Sequence, residues 1–206
     1  MPTAAPSANT LAHFDIQDGR LLPAAFVPSP NFGARPAPYD VAANLRLIVI
    51  HNISLPPSEF GKTNAAGEHY VKAFFQNRLD SADHPYFAQI YQQQVSAHVL
   101  IERDGQVTQF VNFADRAWHA GQSRYLGVAN CNDFSIGIEL EGDDYTAFDA
   151  RQYDALAAVV AAINRTYPKT RHHLAGHSDI ARGRKTDPGA KFDWLRLRRL
   201  IAQYAD

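Results

Sequence analysis

The stretch HHLAGHSDIARGRKTDPG, residues 172–189, gathers three histidines, an Arg-Gly-Arg run and a Lys-Thr-Asp-Pro-Gly run in a segment with little apolar content. Within it, His177 and Asp187 lie ten residues apart, in a segment punctuated by glycine and proline that can fold back around an ion. Far upstream, LRLIVIHN carries a third histidine, His51. Neutral imidazole nitrogens and a carboxylate oxygen are donors that zinc accepts, and three such ligands leave a fourth position for water, the pattern of a catalytic site. A structural zinc is disfavoured, because such sites usually take four protein ligands, often cysteines, and Cys131 is the only cysteine. Spacing alone leaves the matter open. No helical His-x-x-x-His pair is present, and the same residues also suit a hydrogen-bonded histidine at a sheet edge and a solvated surface loop.

Glu139 raises a second question. In FSIGIELEG the large residues Phe134, Ile136, Ile138 and Leu140 alternate with Ser135, Gly137, Glu139 and Glu141, so two carboxylates share one strand face. Under a polar cavity, Glu139 becomes a candidate general base, its proton affinity set by desolvation and a nearby cation. On an open face both glutamates are merely solvated, and of the two Glu141 is the better structural candidate. Lys185, two residues before Asp187, is either a surface lysine or a cation aimed at a developing oxyanion. Asn52 follows His51 and falls at the rim of any site His51 helps to build. His98 shares a strand face with Leu100 and reads as a satisfied core histidine. Trp118 and His119 lie in a loop, where they form a binding wall or plug the loop into the core.

The elements that must position these groups follow from hydrophobic period. LRLIVIHN alternates Leu45, Leu47, Val49 and His51 against Arg46, Ile48 and Ile50, a buried strand beginning at residue 45 with His51 at its end. EHYVKAFFQNR is a short helix candidate, with Tyr70 and Phe74 in its apolar stripe. VSAHVLIERDGQVTQFV reads as a hairpin turning at Asp104-Gly105. Asp149 and Gln152 form a capping box for a long helix through Tyr153, Leu156, Val160, Ile163 and Tyr167, ended by Pro168. FDWLRLRRLIAQYA closes the chain as a helix with Trp194, Leu197, Ile201 and Tyr204 inward. The order of elements predicts an α/β fold, a central mixed β-sheet flanked by helices.

At 206 residues the chain suits one well-buried domain. Residues 1–44 hold seven of the twelve prolines, so an extended arm is expected there, packed on or leading into a catalytic domain over 45–206. Lysine and arginine number 20 against 21 acids with no like-charge block, which argues against nucleic acid or an acidic membrane and for a small or neutral partner. The start lacks a basic region followed by a continuous apolar run, and no apolar run of membrane-spanning length occurs, so a cytoplasmic location is expected. The single cysteine agrees with a reducing compartment.

Taken together and in order between about residue 45 and residue 197, VIHNISLPPSEFG, HPYFAQI, VSAHVLIERDGQV, RAWHAGQSRY, CNDFSIGIELEG and AGHSDIARGRKTDPG closely resemble the zinc amidases that act on muropeptides. That group includes phage amidases and peptidoglycan-recognition proteins and shares a mixed sheet with surrounding helices; the first twenty or so residues fall outside the likeness. The resemblance implies Zn2+ held by His51, His177 and Asp187, Glu139 as catalytic base and Lys185 as transition-state stabiliser. Many relatives carry cysteine in place of Asp187, so the aspartate implies the cell-wall recycling branch, which cleaves the amide between the lactyl group of 1,6-anhydro-N-acetylmuramic acid and L-alanine. It further implies sugar and peptide contacts at Asn52, Ala117 and Trp118. Where relatives often place basic residues this chain has Gln94 and Asn130, so the peptide carboxylates are expected at Arg124 or Arg116. A monomer is expected. The alternatives are a muropeptide-binding module without catalysis, against which all five functional residue types speak, and an amidase of intact peptidoglycan, against which the absent leader speaks.

Overall fold

The computed structural model describes residues 12–37 and 40–204, without the side chain of Ala42. Its strands are β1 (Asp15–Gln17), β2 (Arg20–Leu22), β3 (Ala25–Phe26), β4 (Phe32–Gly33), β5 (Leu47–Ile53), β6 (Val99–Ile101), β7 (Val107–Gln109), β8 (Arg116–Ala117), β9 (Arg124–Tyr125), β10 (Val128–Ala129), β11 (Ser135–Glu141) and β12 (Leu174–Gly176). The helices are α1 (Val41–Asn44), α2 (Tyr70–Phe75), α3 (Ala150–Thr166), α4 (His177–Ile180) and α5 (Trp194–Ala202). Six strands form one mixed sheet in the order β12-β5-β11-β6-β7-β3. β12, β5, β11 and β6 run parallel, and β7 turns back antiparallel to β6 through Gly105, whose φ of 86° is the conformation glycine tolerates.

Parallel strands need cover on both faces, and all seven residues of β11 are buried. One face, with Ile48, Ile50, Ile136, Ile138 and Leu140, packs against Leu156, Val159 and Val160 of α3 and Leu197 of α5. The capping box of Asp149 and Gln152 starts α3 as the sequence predicts, and Pro168 follows its end. The opposite face meets two smaller apolar clusters. Leu47 and Val49 pack with Cys131, Phe134 and Ile180, while Leu100 packs with Phe74, Phe75, Phe87 and Ile90. The polar side chains at the ends of β5 and β11 fall between these two clusters.

Residues 12–37 carry no readable strand period because the strands they contribute are only two or three residues long. β3 nevertheless adds an edge to the main sheet beside β7, and β4 pairs with β8. Arg35, buried to 7% exposure, reaches inward and donates to the carbonyls of Asn132, Asp133, Phe113 and Ser135. The remaining part of the predicted arm, residues 1–11 and 38–39, lies outside the described residues. Among the described residues no helix is long and apolar enough to cross a membrane.

Glu141 fastens the loop after β5 to the sheet. Its Oε1 accepts from the Gly61 amide at 2.5 Å and lies 2.9 Å from His69 Nε2, and its Oε2 accepts from the Arg103 amide at 3.1 Å. Burial pushes its pKa up, but these hydrogen bonds outweigh that and hold it below the ordinary 4.5. Glu141→Leu strands those donors, so urea denaturation at neutral pH should show a loss of about 3 kcal/mol. Because the folded-state pKa is depressed, the contribution is present above 4.5 and is lost as pH falls through the lower folded value, so the gap between variant and wild type should close only in acid.

Candidate active site

The parallel register of β5 and β11 sets His51 beside Glu139 and Asn52 beside Leu140. Such neighbours stand about 4.8 Å apart with side chains on the same face. β12 flanks the other side of β5 with Gly176 opposite Ile50, so His177, opening α4, arrives level with His51. Asp187 is returned to the same point by a closed loop in which the Ser178 amide donates to the Asp187 carbonyl at 2.9 Å. Gly189 lets that loop pass close over Asp144: its φ is 81°, and a Cβ there would lie 2.4 Å from Asp144 Cα.

The result is a triangle of potential ligands. His51 Nδ1 lies 3.0 Å from His177 Nδ1 and 3.0 Å from Asp187 Oδ2, and His177 Nδ1 lies 3.1 Å from the same oxygen. Bonds of about 2.0 Å to a tetrahedral zinc put ligand atoms about 3.3 Å apart, so the triangle is nearly one face of such a coordination shell. Desolvation drives His51 down to about 4 despite its contact with Asp187. Burial acts to raise Asp187, but its contacts with His177 and His51 prevail and hold it well below the usual carboxylate range. His51 is therefore neutral and Asp187 ionised, the protonation states a divalent cation requires of its ligands.

Beside the triangle opens a cavity of about 350 Å³ whose lining includes Asn52, Glu139, Lys185 and Trp118. Glu139 is 8% exposed, and its Oε2 has no hydrogen-bond partner among the described residues. Burial raises its pKa well above the ordinary 4.5, the charge of Asp187 adds to that, and Lys185 opposes it. The carboxyl is thus poised to exchange a proton with a guest. Asn52 is oriented by donating to Asp144 Oδ1 at 2.8 Å. Phe74, Tyr86, Ile90 and Val95 supply apolar lining to the same cavity.

The structure thus brings together His51, His177, Asp187, Glu139, Lys185, Asn52 and Trp118. It does not bring in Ala117 or Arg124. Ala117 points away from its neighbour Trp118 into the apolar cluster of Phe75 and Phe110, fully buried. Arg124 is exposed in the β9–β10 hairpin, donates to the Gly127 carbonyl at 2.6 Å and borders a separate depression with Ile180 and Arg182. Arg116 pairs with Asp133 at 2.8 Å, also outside the cavity. His98 is the satisfied core histidine its strand position suggests, accepting from the Gly137 amide at 3.0 Å and lying 3.2 Å from the Asp115 carbonyl. His172 is exposed, and His173 Nδ1 lies 3.0 Å from the Tyr125 hydroxyl. Asp144 and the contact of His119 with His51 carry no local sequence signal, since both depend on chain crossings far apart in sequence.

Residues 42–190 match the family described as N-acetylmuramoyl-L-alanine amidase. The 1,6-anhydro-N-acetylmuramyl-L-alanine amidase AmpD of Haemophilus influenzae is 51% identical over 183 residues, covering 88% of this chain and 94% of that protein. A crystal structure of a selenomethionine AmpD derivative superposes with a TM-score of 0.83 at 49% identity, covering 90% of this chain and 98% of that one. AmpDh3 from Pseudomonas aeruginosa, solved in complex with anhydromuramic pentapeptide, aligns with a TM-score of 0.57 at 30% identity over 80% of this chain and 62% of its own. With family match, sequence and overall fold in agreement over most of its length, this chain belongs to the N-acetylmuramoyl-L-alanine amidase family.

Proposed function

We propose that this chain is a zinc-dependent amidase that hydrolyses the bond between the lactyl group of 1,6-anhydro-N-acetylmuramic acid and L-alanine in soluble muropeptides during cell-wall recycling, working as a cytoplasmic monomer. The carrying observation is the convergence of His51, His177 and Asp187 at 3.0–3.1 Å next to a buried carboxyl with an unpaired oxygen. The substrate assignment is supported by the AmpD relative, whose name specifies that amide, and by the anhydromuramic pentapeptide bound to AmpDh3. His51, His177 and Asp187 would hold the zinc, which when bound supplies Lewis acidity toward the scissile carbonyl and the attacking water.

The chain's own residues carry the proton and charge traffic. Glu139 takes the proton of the attacking water through Oε2 and passes it to the leaving amine of L-alanine, a role matched by its raised proton affinity. Lys185 directs its ammonium at the oxygen that gains charge as the carbonyl becomes tetrahedral. Asn52 presents a fixed amide at the rim, while Trp118 and the apolar lining of the cavity cover the less polar faces of the substrate. Burial around Glu139 keeps bulk water from competing for its proton.

The deciding measurement is release of free peptide from anhydro-muropeptides and from intact cell wall, each with and without chelator. Chelator-sensitive release from the soluble substrate alone is expected; tight binding without release in the presence of zinc overturns the reading. Chelation should also lower the thermal midpoint, and added zinc should restore both midpoint and turnover, because an ion that binds only the folded state stabilises it by mass action. Glu139→Gln should retain one equivalent of zinc by elemental analysis while losing at least about a hundredfold in kcat. Loss of the metal instead would show that Glu139 is a ligand. Lys185→Met should lower kcat by about 10²- to 10³-fold with a smaller change in KM.

A further inference from the structure

His119 does not simply wall the cavity. Its Nδ1 lies 2.9 Å from His51 Nε2, the ring nitrogen that faces away from the ligand triangle, with the two rings nearly perpendicular at 83°. Its Nε2 lies 3.2 Å from Ser135 Oγ, which in turn lies 2.6 Å from the Cys131 carbonyl.

The direction of this chain of hydrogen bonds follows from its last member. A carbonyl only accepts, so the Ser135 hydroxyl spends its one hydrogen on Cys131 and accepts from His119 Nε2–H. His119 Nδ1 then holds a lone pair and accepts from His51 Nε2–H. His51 Nδ1 is left with its lone pair aimed at His177 and Asp187.

The second histidine is oriented by the same argument. His177 Nε2 donates to the Ala120 carbonyl at 3.0 Å, freeing Nδ1 for the triangle. Both braces come from adjacent residues, and Asn132 Oδ1 pins them by accepting from the amides of His119 at 3.2 Å and Ala120 at 2.8 Å. Gly137 completes the seat. A Cβ there would stand 2.4 Å from His119 Cγ, and its three nearest atoms all belong to that imidazole. The ring occupies the space over β11 that a side chain at 137 would fill.

We propose that His119, seated on Gly137 and held by Ser135, is a positioning residue that fixes the tautomer and orientation of His51 for zinc. It acts through His51 and does not touch substrate to do so. The inference rests on the metal-centre reading above, and the test separates the two.

Apoprotein of the wild type, His119→Ala, His119→Asn, Gly137→Ala and the His119→Ala/Gly137→Ala double variant is titrated with zinc in competition with a chromogenic chelator. Circular dichroism of each apoprotein checks folding. His119→Ala should weaken zinc binding about 10- to 100-fold, the range for losing a partner that orients a metal ligand. His119→Asn, whose Oδ1 can stand where Nδ1 stood, should recover most of that. Gly137→Ala should weaken binding by displacing the ring, yet cost nothing more when His119 is already alanine. Zinc affinity of folded His119→Ala within threefold of wild type, or a Gly137→Ala effect undiminished in the double variant, overturns the proposal. Should His119→Ala fail to fold, Gly137→Ala and His119→Asn decide it, the first expected to lose affinity and the second to keep it; the reverse overturns it. A wild type that takes up no zinc overturns the metal-centre reading itself.

Discussion

Holding His51 Nδ1, His177 Nδ1 and Asp187 Oδ2 within 3.0–3.1 Å of one another is the demand that the rest of the structure meets. Acceptor atoms this close need a proton or a cation between them, and their burial removes the water that would otherwise relieve them. No local segment can impose such an arrangement; it takes rigid backbone on every side. β5 supplies His51, the β12–α4 turn supplies His177, and the hydrogen bond from the Ser178 amide closes the loop that returns Asp187. Two of these pieces share the sheet, so the separation of the two imidazoles is set by strand spacing.

The same constraint explains how β11 divides its two faces. Ile136, Ile138 and Leu140 commit one face to α3. On the other, Ser135 accepts from His119, Gly137 leaves room for that ring, Glu139 enters the cavity and Glu141 anchors the loop after β5. Four successive positions at a period of two thus serve four different purposes on one polar face. That face is tolerable in a protein interior because it is flanked by apolar clusters and Ser135 and Glu141 are hydrogen-bonded, while Glu139 Oε2 is buried without a partner among the described residues.

Much of this was legible in the sequence where the signal is periodic or local. The alternation of LRLIVIHN and FSIGIELEG specifies the two central strands, and the Asp149 to Gln152 spacing specifies the start of α3. His51, His177 and Asp187 were legible as donor types, but their meeting depends on the parallel register of β5 and β12 and on the loop that returns Asp187, which spacing does not encode. The strands before residue 45 are too short for a period to emerge. Trp118 and Ala117 look equivalent in a loop motif, yet Ala117 ends β8 facing the core while Trp118, just past the strand, lines the cavity. Arg124 has the right charge for a peptide carboxylate, but the β9–β10 hairpin carries it to another part of the surface.

Three carboxylates in this region show how partners, more than burial, assign a role. Glu141 is the least exposed side chain of the three, yet amide donors from Gly61 and Arg103 together with His69 keep it ionised as an anchor. Asp187 meets two imidazole nitrogens and is likewise held in its charged form, ready to serve as a ligand. Burial raises Glu139 most; it meets no donor at Oε2 to offset that, the charge of Asp187 adds to it, and Lys185 opposes it. Its proton affinity therefore rises while those of the other two fall. A carboxyl left without donors in a cavity is the one of the three whose proton a guest can move, and a cation bound at the adjacent triangle would draw its pKa back toward the range where transfer in both directions is cheap.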